Sequence, residues 1–141
     1  MTATTNALGI TAVLPQSYEQ VFEAVTAALK EQGFGVLTEI DVKATLKNKL
    51  DVDVLPYAIL GACNPPLAYR ALSADPTVGL MLPCNVVVYD NGDGTTTVSA
   101  INPMAAIGVV GNPALDDVAR SATDKLTKVI ANLRQAAGEP A

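Results

Sequence analysis

The chain has 141 residues, half of them apolar and only 4% aromatic, and a formal net charge of -5. This length suits a single domain over residues 1–141, whose core we expect to span about residues 8–135. The acidic balance argues against a nucleic-acid surface. No apolar run reaches the roughly 18 residues that cross a membrane, and the N-terminus lacks a secretory signal. We therefore expect a soluble, cytoplasmic protein without nucleic-acid or membrane partners.

The N-terminal third predicts a strand followed by a long amphipathic helix. Apolar and β-branched residues over 8–14 are typical of a strand. Ser17 and Gln20 match a capping box, and apolar residues then recur at helical spacing, which predicts a helix over residues 18–32. Gly33 suits the left-handed position that follows a helix.

The next segment predicts a second strand and a short basic helix. Residues 34–40 alternate loosely between apolar and polar types, which indicates the strand. Asp41 can cap a helix over residues 42–50. In this helix we expect Leu46 and Leu50 to face inward, while the lysines stay in water.

The middle of the chain predicts a strand that leads directly into a helix. The strand covers residues 57–62 and runs into Cys63. Asn64 then caps a helix over about residues 66–73, with prolines at its start. We expect the Cys63 thiol to lie at this helix N-terminus, where unsatisfied backbone N–H groups and the helix dipole favour a thiolate.

The C-terminal half predicts a hairpin and a long helix. A β-branched run over residues 86–89, the turn sequence of 90–94 and a return strand over 95–101 indicate the hairpin. Residues 102–111 are expected to form an irregular connection. The last helix has one apolar face, formed by Leu115, Val118, Ala119, Ala122, Leu126, Val129, Ile130 and Leu133.

This order of elements predicts an α+β fold with a mainly antiparallel sheet that helices cover on one face. Consecutive strands around a tight hairpin favour antiparallel pairing. Long amphipathic helices lie near both ends of the sequence, and short extra helices interrupt the series of strands.

Two cysteines, each followed by asparagine, are the most distinctive local feature: Cys63-Asn64 and Cys84-Asn85. The chain contains no histidine, which excludes Ser-His-Asp and Cys-His catalysis within one chain. As structural residues, the cysteines would be small buried hydrophobes, and the asparagines would satisfy backbone groups at turns and caps. As functional residues, all four would line a small-ligand site at one end of the sheet.

The two thiols leave further interpretations open. Cys63 and Cys84 could bind a thiophilic metal such as zinc, although two thiolates supply only half of a zinc site. A second subunit could supply two more thiolates, or Asp41, Asp75 or Asp90 could supply oxygen ligands. Alternatively, the pair could serve a thiol-based redox enzyme or sensor.

Several segments of the chain resemble one known family. Residues 32–41, 59–65, 68–69 and 82–89 are similar, in this order, to the domain of unknown function 302 family. The resemblance extends over about residues 17–103. It implies a β-α-β4-α topology similar to the TATA-binding-protein fold and a homodimer, and it implies no activity.

Together these features predict a small homodimeric binding module with a small-ligand or metal site at the two Cys-Asn turns. The alternative is a thiol-based redox protein or sensor that uses Cys63 and Cys84. The apolar segment 105–110 is a candidate contact with the second subunit. The residues leave enzymatic activity open and favour binding over catalysis.

Overall fold

The computed structural model of the chain describes residues 4–5 and 8–138. Within these residues the strands are β1 (Thr4–Thr5), β2 (Gly9–Leu14), β3 (Gly35–Asp41), β4 (Tyr57–Cys63), β5 (Cys84–Asp90) and β6 (Thr96–Ile101). The α-helices are α1 (Tyr18–Glu31), α2 (Val42–Leu50), α3 (Pro65–Ala74), α4 (Pro103–Ala106) and α5 (Pro113–Ala136). Short 3₁₀ helices cover Pro76–Met81 and Gly108–Val110.

The strands form one sheet in the order β1-β2-β6-β5-β4-β3, and every neighbouring pair is antiparallel. The α+β class and the β-α-β4-α topology are therefore confirmed. The short edge strand β1 and the 3₁₀ helix Pro76–Met81 are additions that the sequence did not predict. Residues 103–106 and 108–110 form single helical turns where an irregular connection was predicted.

Strand alternation gives the sheet an inner face that is covered by α1 and α5. The inner residues of β2 are Ile10, Ala12 and Leu14, and each is at most 2% exposed. They share one core with the apolar faces of α1 and the C-terminal half of α5. Burying each Leu or Ile side chain here contributes about 1.5–3 kcal/mol to folding.

The long helices begin and end as their sequences predict. Ser17 and Gln20 form the capping box at the start of α1, and Gly33 follows the helix with φ of 83°. All eight apolar residues predicted to face inward along α5 are buried.

Helix α2 differs from its prediction because none of its residues is buried. Leu46 is half-buried, but Leu50 is 66% exposed, so the expectation that Leu50 faces inward is wrong. The helix contacts the edge strand β3 and its neighbour β4.

A second, smaller core lies beside the sheet, between α3, α4 and the N-terminal half of α5. Its buried members include Leu67, Val78, Ile107, Leu115 and Val118. Helix α5 therefore spans both cores, because its N-terminal half packs on α3 and α4 and its C-terminal half packs on the sheet and α1.

Candidate functional site

An apolar cavity of about 270 Å³ lies where the two cores meet. Phe34, Ala62 and Cys84 line it from the larger core. Leu67, Ala71, Ile107, Val118 and Ala122 line it from the smaller core. Leu37 of β3 and Leu72 of α3 also line the cavity but are 68% and 41% exposed, so they mark its opening to solvent.

The two cysteines lie on neighbouring strands at the same end of the sheet. Cys63 is the last residue of β4, Cys84 is the first of β5, and Ala62 lies directly opposite Cys84. Both cysteines are free thiols, and both line the cavity. The prediction that they share one end of the sheet is therefore confirmed.

The two thiols have different surroundings. Cys84 is buried, and this burial raises the pKa of its thiol to about 11, with a smaller contribution from the nearby Cys63. Cys84 is consequently a neutral thiol near pH 7. Cys63 is half-buried, so it is the more accessible of the two side chains.

Asn64 is buried and holds two helix ends together. Its Oδ1 accepts a hydrogen bond from the backbone N–H of Leu67 at 3.3 Å, which caps α3. Its Nδ2 donates to the backbone carbonyl of Gln32, the residue that ends α1, at 3.3 Å. This capping role is the structural one considered for Asn64 in the sequence.

The start of α3 offers no free backbone donor to a thiolate. The first two positions are Pro65 and Pro66, which carry no N–H. The next two N–H groups, of Leu67 and Ala68, donate to the side chain and backbone carbonyl of Asn64. The expectation that unsatisfied N–H groups at this helix end would activate Cys63 is therefore wrong.

Asn85 lies apart from the other three predicted site residues. It is exposed, it pairs with Gly61 in the neighbouring strand, and it is not among the residues that line the cavity. The structure thus brings Cys63, Asn64 and Cys84 together around the cavity, with Asn85 outside it.

The predicted oxygen ligands for a metal lie in local turns. Asp41 accepts from the N–H of Ala44 at 2.9 Å, Asp75 from Thr77 at 2.9 Å, and Asp90 from Gly92 at 2.8 Å. Over residues 8–138, no three His, Cys, Asp or Glu side chains are grouped to hold a metal. The expectation that one of these aspartates would complete a site with both cysteines of the same chain is therefore wrong.

Sequence reasoning missed most of the cavity wall. Phe34, Leu67, Ile107 and Val118 come from the residue before β3, from α3, from the α4 region and from α5, and their sequence patterns predict only that they are buried. A gap between two cores depends on how the helices are packed, and no local pattern encodes it.

An antiparallel sheet with helices on its inner face and an open apolar cavity at one end defines this chain as a small α+β domain. The chain belongs to the family described as domain of unknown function DUF302, whose model matches residues 10–133. Its structure is similar to the crystal structure of an uncharacterized conserved DUF302 protein from Bacillus stearothermophilus, with 32% sequence identity and a TM-score of 0.82. That match covers 89% of this chain and 98% of the other.

Curated proteins give no match to this chain. Among the helices that the structure describes, none is both long and apolar enough to cross a membrane.

Proposed function

We propose that this protein binds a small, uncharged apolar molecule in the cavity between its two cores. The observation that carries the proposal is the cavity itself, which has an apolar wall and opens to solvent beside Leu37 and Leu72. Ligand pockets usually measure about 300–1,000 Å³. A cavity of about 270 Å³ therefore suits a ligand at the small end of that range.

The chemistry of the cavity wall disfavours a charged ligand. Asn64 is the polar amide side chain in the lining, and both ends of its amide already bond to Leu67 and Gln32. A charged ligand would lose its hydration without gaining a partner of opposite charge here. The thiols of Cys63 and Cys84 are soft and polarisable groups that suit an apolar or aromatic ligand.

Binding of the uncharged dye N-phenylnaphthylamine tests this proposal. We expect its fluorescence to rise on addition of the protein and to saturate at one dye per chain. Ala68→Phe places a phenyl ring in the cavity wall and should weaken binding at least about tenfold, equivalent to about 1.4 kcal/mol. Ala74→Phe is the matched control, because Ala74 is exposed on the same helix and does not line the cavity.

Two results would count against the cavity as the binding site. The first is the absence of saturable dye binding to the wild-type protein. The second is equal binding to the Ala68→Phe and Ala74→Phe variants, provided that circular dichroism shows both to be folded.

We propose thiol chemistry as a second candidate function, because Cys63 is half-buried and lines the same cavity. A ligand in the cavity would then meet one accessible thiol, in a cytoplasm that keeps such thiols reduced. Direct pairing of Ala62 with Cys84 leaves Cys63 one residue out of register with Cys84, and this register disfavours a disulfide within the chain. A zinc site formed by four thiolates from two subunits is a further proposal, tested by metal analysis of the purified protein.

We also propose that the protein is a homodimer, as the family resemblance implies. The segment 105–110 is one candidate surface for this contact, because Val109 and Val110 are 69% and 43% exposed, while Ile107 is buried in the smaller core. Sedimentation equilibrium at micromolar concentration should give twice the mass of one chain. A monomer at these concentrations would contradict this part of the proposal.

A further inference from the structure

The outer face of the sheet, opposite α1 and α5, carries no charged side chain on strands β2 to β6 in the described chain. Strands β2 to β6 contain three charged residues, which are Glu39 and Asp41 of β3 and Asp90 of β5. Asp90 pairs with Thr96, a buried residue of the inner face. The charged residues of β3, Glu39 and Asp41, pair with Leu60 and Ala58, whose side chains lie on the inner face. Glu39 and Asp41 also line a depression shared with Tyr18 of α1, which places their charge on the helix side.

Two rows of paired residues form the centre of this outer face. One row runs across five strands through Ile40, Ile59, Val87, Ser99 and Thr11. Thr11 and Ser99 are joined by a hydrogen bond between their hydroxyl oxygens at 2.6 Å, so even the polar end of the row is internally satisfied.

The second row contains Tyr57, Tyr89, Thr97 and Val13. The rings of Tyr57 and Tyr89 are stacked, with centroids 5.1 Å apart and planes at 4°. The tyrosines, Ile59, Val87 and Val13 are only half-buried, and Ile40 is 48% exposed. Thr97 in the second row is only 4% exposed and accepts a hydrogen bond from the side chain of Asn91. The other members of the two rows present side chains that the described chain leaves accessible.

We propose that this outer face packs against the same face of a second copy of the chain, so that two sheets form one sandwich. The inference rests on the proposed self-association and specifies the surface through which the two copies meet. Each copy has a net charge of -5, so meeting through an uncharged face avoids close contacts between like charges. An identical sheet has the same twist, which lets strands of two sheets pack within about 30° of each other.

The size of the face is near the minimum for a specific dimer contact. Five strands spaced about 4.8 Å apart and about six residues long make a face of roughly 24 Å by 20 Å. Two such faces bury on the order of 1,000 Å² in total, which is close to the smallest area expected of a biological interface. Nucleic acid is a poor occupant, because the face has no Lys or Arg to neutralise phosphates.

Sedimentation equilibrium of charge variants tests this assignment. Val87→Lys places an ammonium group at the centre of the outer face, and its side chain points away from the core. We expect it to raise the dimer dissociation constant at least about 100-fold, because two buried like charges oppose association. Val109→Lys makes the same charge change in the competing candidate surface, the exposed segment 105–110, and should leave the constant unchanged if the outer face is the interface.

The outcomes separate this interface from the other proposals. A folded Val87→Lys variant that dimerises like wild type, or dissociation by Val109→Lys instead, would overturn the outer-face assignment while leaving self-association in place. A monomeric wild type would overturn both. Because the cavity lies among the helices, Val87→Lys should bind the naphthylamine dye as wild type does, whatever the oligomeric state.

If Val87→Lys does not fold, nitration of the wild-type protein with tetranitromethane tests the outer-face dimer instead. Tyr57 and Tyr89 lie on the outer face, whereas Tyr69 is 75% exposed on α3 and serves as an internal control. We expect Tyr57 and Tyr89 to become protected relative to Tyr69 as the protein concentration rises. The outer-face dimer would be contradicted if the nitration rates of Tyr57 and Tyr89 relative to Tyr69 did not change over the concentration range in which sedimentation shows association.

Discussion

Cys84 has 8% of its surface exposed, and its burial raises the pKa of its thiol to about 11 from an ordinary value of 9.0. In the unfolded chain this thiol ionises above about pH 9, whereas in the folded chain it stays neutral until about pH 11. The stabilisation from keeping Cys84 neutral is therefore complete below about pH 9 and is lost as pH rises through 11.

We expect this loss to reach about 2–3 kcal/mol. Urea unfolding at about pH 8 and about pH 11 would measure it in wild type and in Cys84→Ala. Tyrosines and lysines ionise in both proteins, so the difference between the two pH dependences isolates Cys84. Cys63→Ala should retain the wild-type pH dependence of the unfolding free energy. If Cys84→Ala loses as much stability between about pH 8 and about pH 11 as wild type does, another group is responsible.

The accessibility of Cys63 leads to a second prediction at the residue scale. A brief iodoacetamide pulse near neutral pH should label Cys63 well before Cys84, as read by mass spectrometry. Cys63 is the more exposed thiol, and burial raises the pKa of Cys84. The helix end does not activate Cys63, because the prolines and Asn64 leave no free N–H at the start of α3. Equal or reversed labelling would contradict this, and no labelling of either thiol would favour a purely structural role for both.

At the scale of elements, Gly33 and Asn64 together connect α1 to α3. Gly33 has φ of 83°, and a Cβ at this position would lie 3.1 Å from Asn64 Nδ2, the atom that bonds to Gln32. A side chain at residue 33 would thus strain the backbone and also press on the amide that caps α3.

Comparison of two glycine substitutions separates these effects. Gly94 has φ of 88°, and a Cβ there would meet nothing within 4 Å. We expect Gly94→Ala to cost about 1 kcal/mol of unfolding free energy from the left-handed backbone alone. Gly33→Ala should cost about 1 kcal/mol more, measured by urea unfolding, and equal costs would mean that Asn64 accommodates the methyl group without loss.

At the scale of the whole molecule, the two faces of the sheet have different surroundings. The inner face joins α1 and α5 in the larger core, and the smaller core beside it leaves the cavity at the end where β4 meets β5. The outer face has no charged residue along β2 to β6 and contributes nothing to the cavity apart from the strand ends. The proposed ligand binding and the proposed self-association therefore use separate surfaces, and single substitutions can test them independently.

Much of this architecture could be predicted from local sequence. The capping box of Ser17 and Gln20, the Asp41 and Asn64 caps and the eight inward residues of α5 follow from hydrogen-bonding chemistry within one turn and from helical periodicity. The position of Leu50 could not be predicted, because its burial depends on whether another element covers α2.

The candidate site was predictable only in part, for the same reason. Pairing of β4 with β5 brings Cys63 and Cys84 to one end of the sheet, as their flanking turns predicted. Whether Asn85 joins them depends on strand register, which places it opposite Gly61 and outside the cavity.

The sequence by itself determined the elements, their order and the antiparallel class of the sheet, because caps, turns and periodicity act over a few residues. Tertiary structure alone decided that two cores leave an apolar cavity between them, that burial keeps Cys84 neutral, and that the charges of β3 lie on the helix side. These properties arise from contacts between residues far apart in the chain, so they depend on packing and register that no single segment specifies.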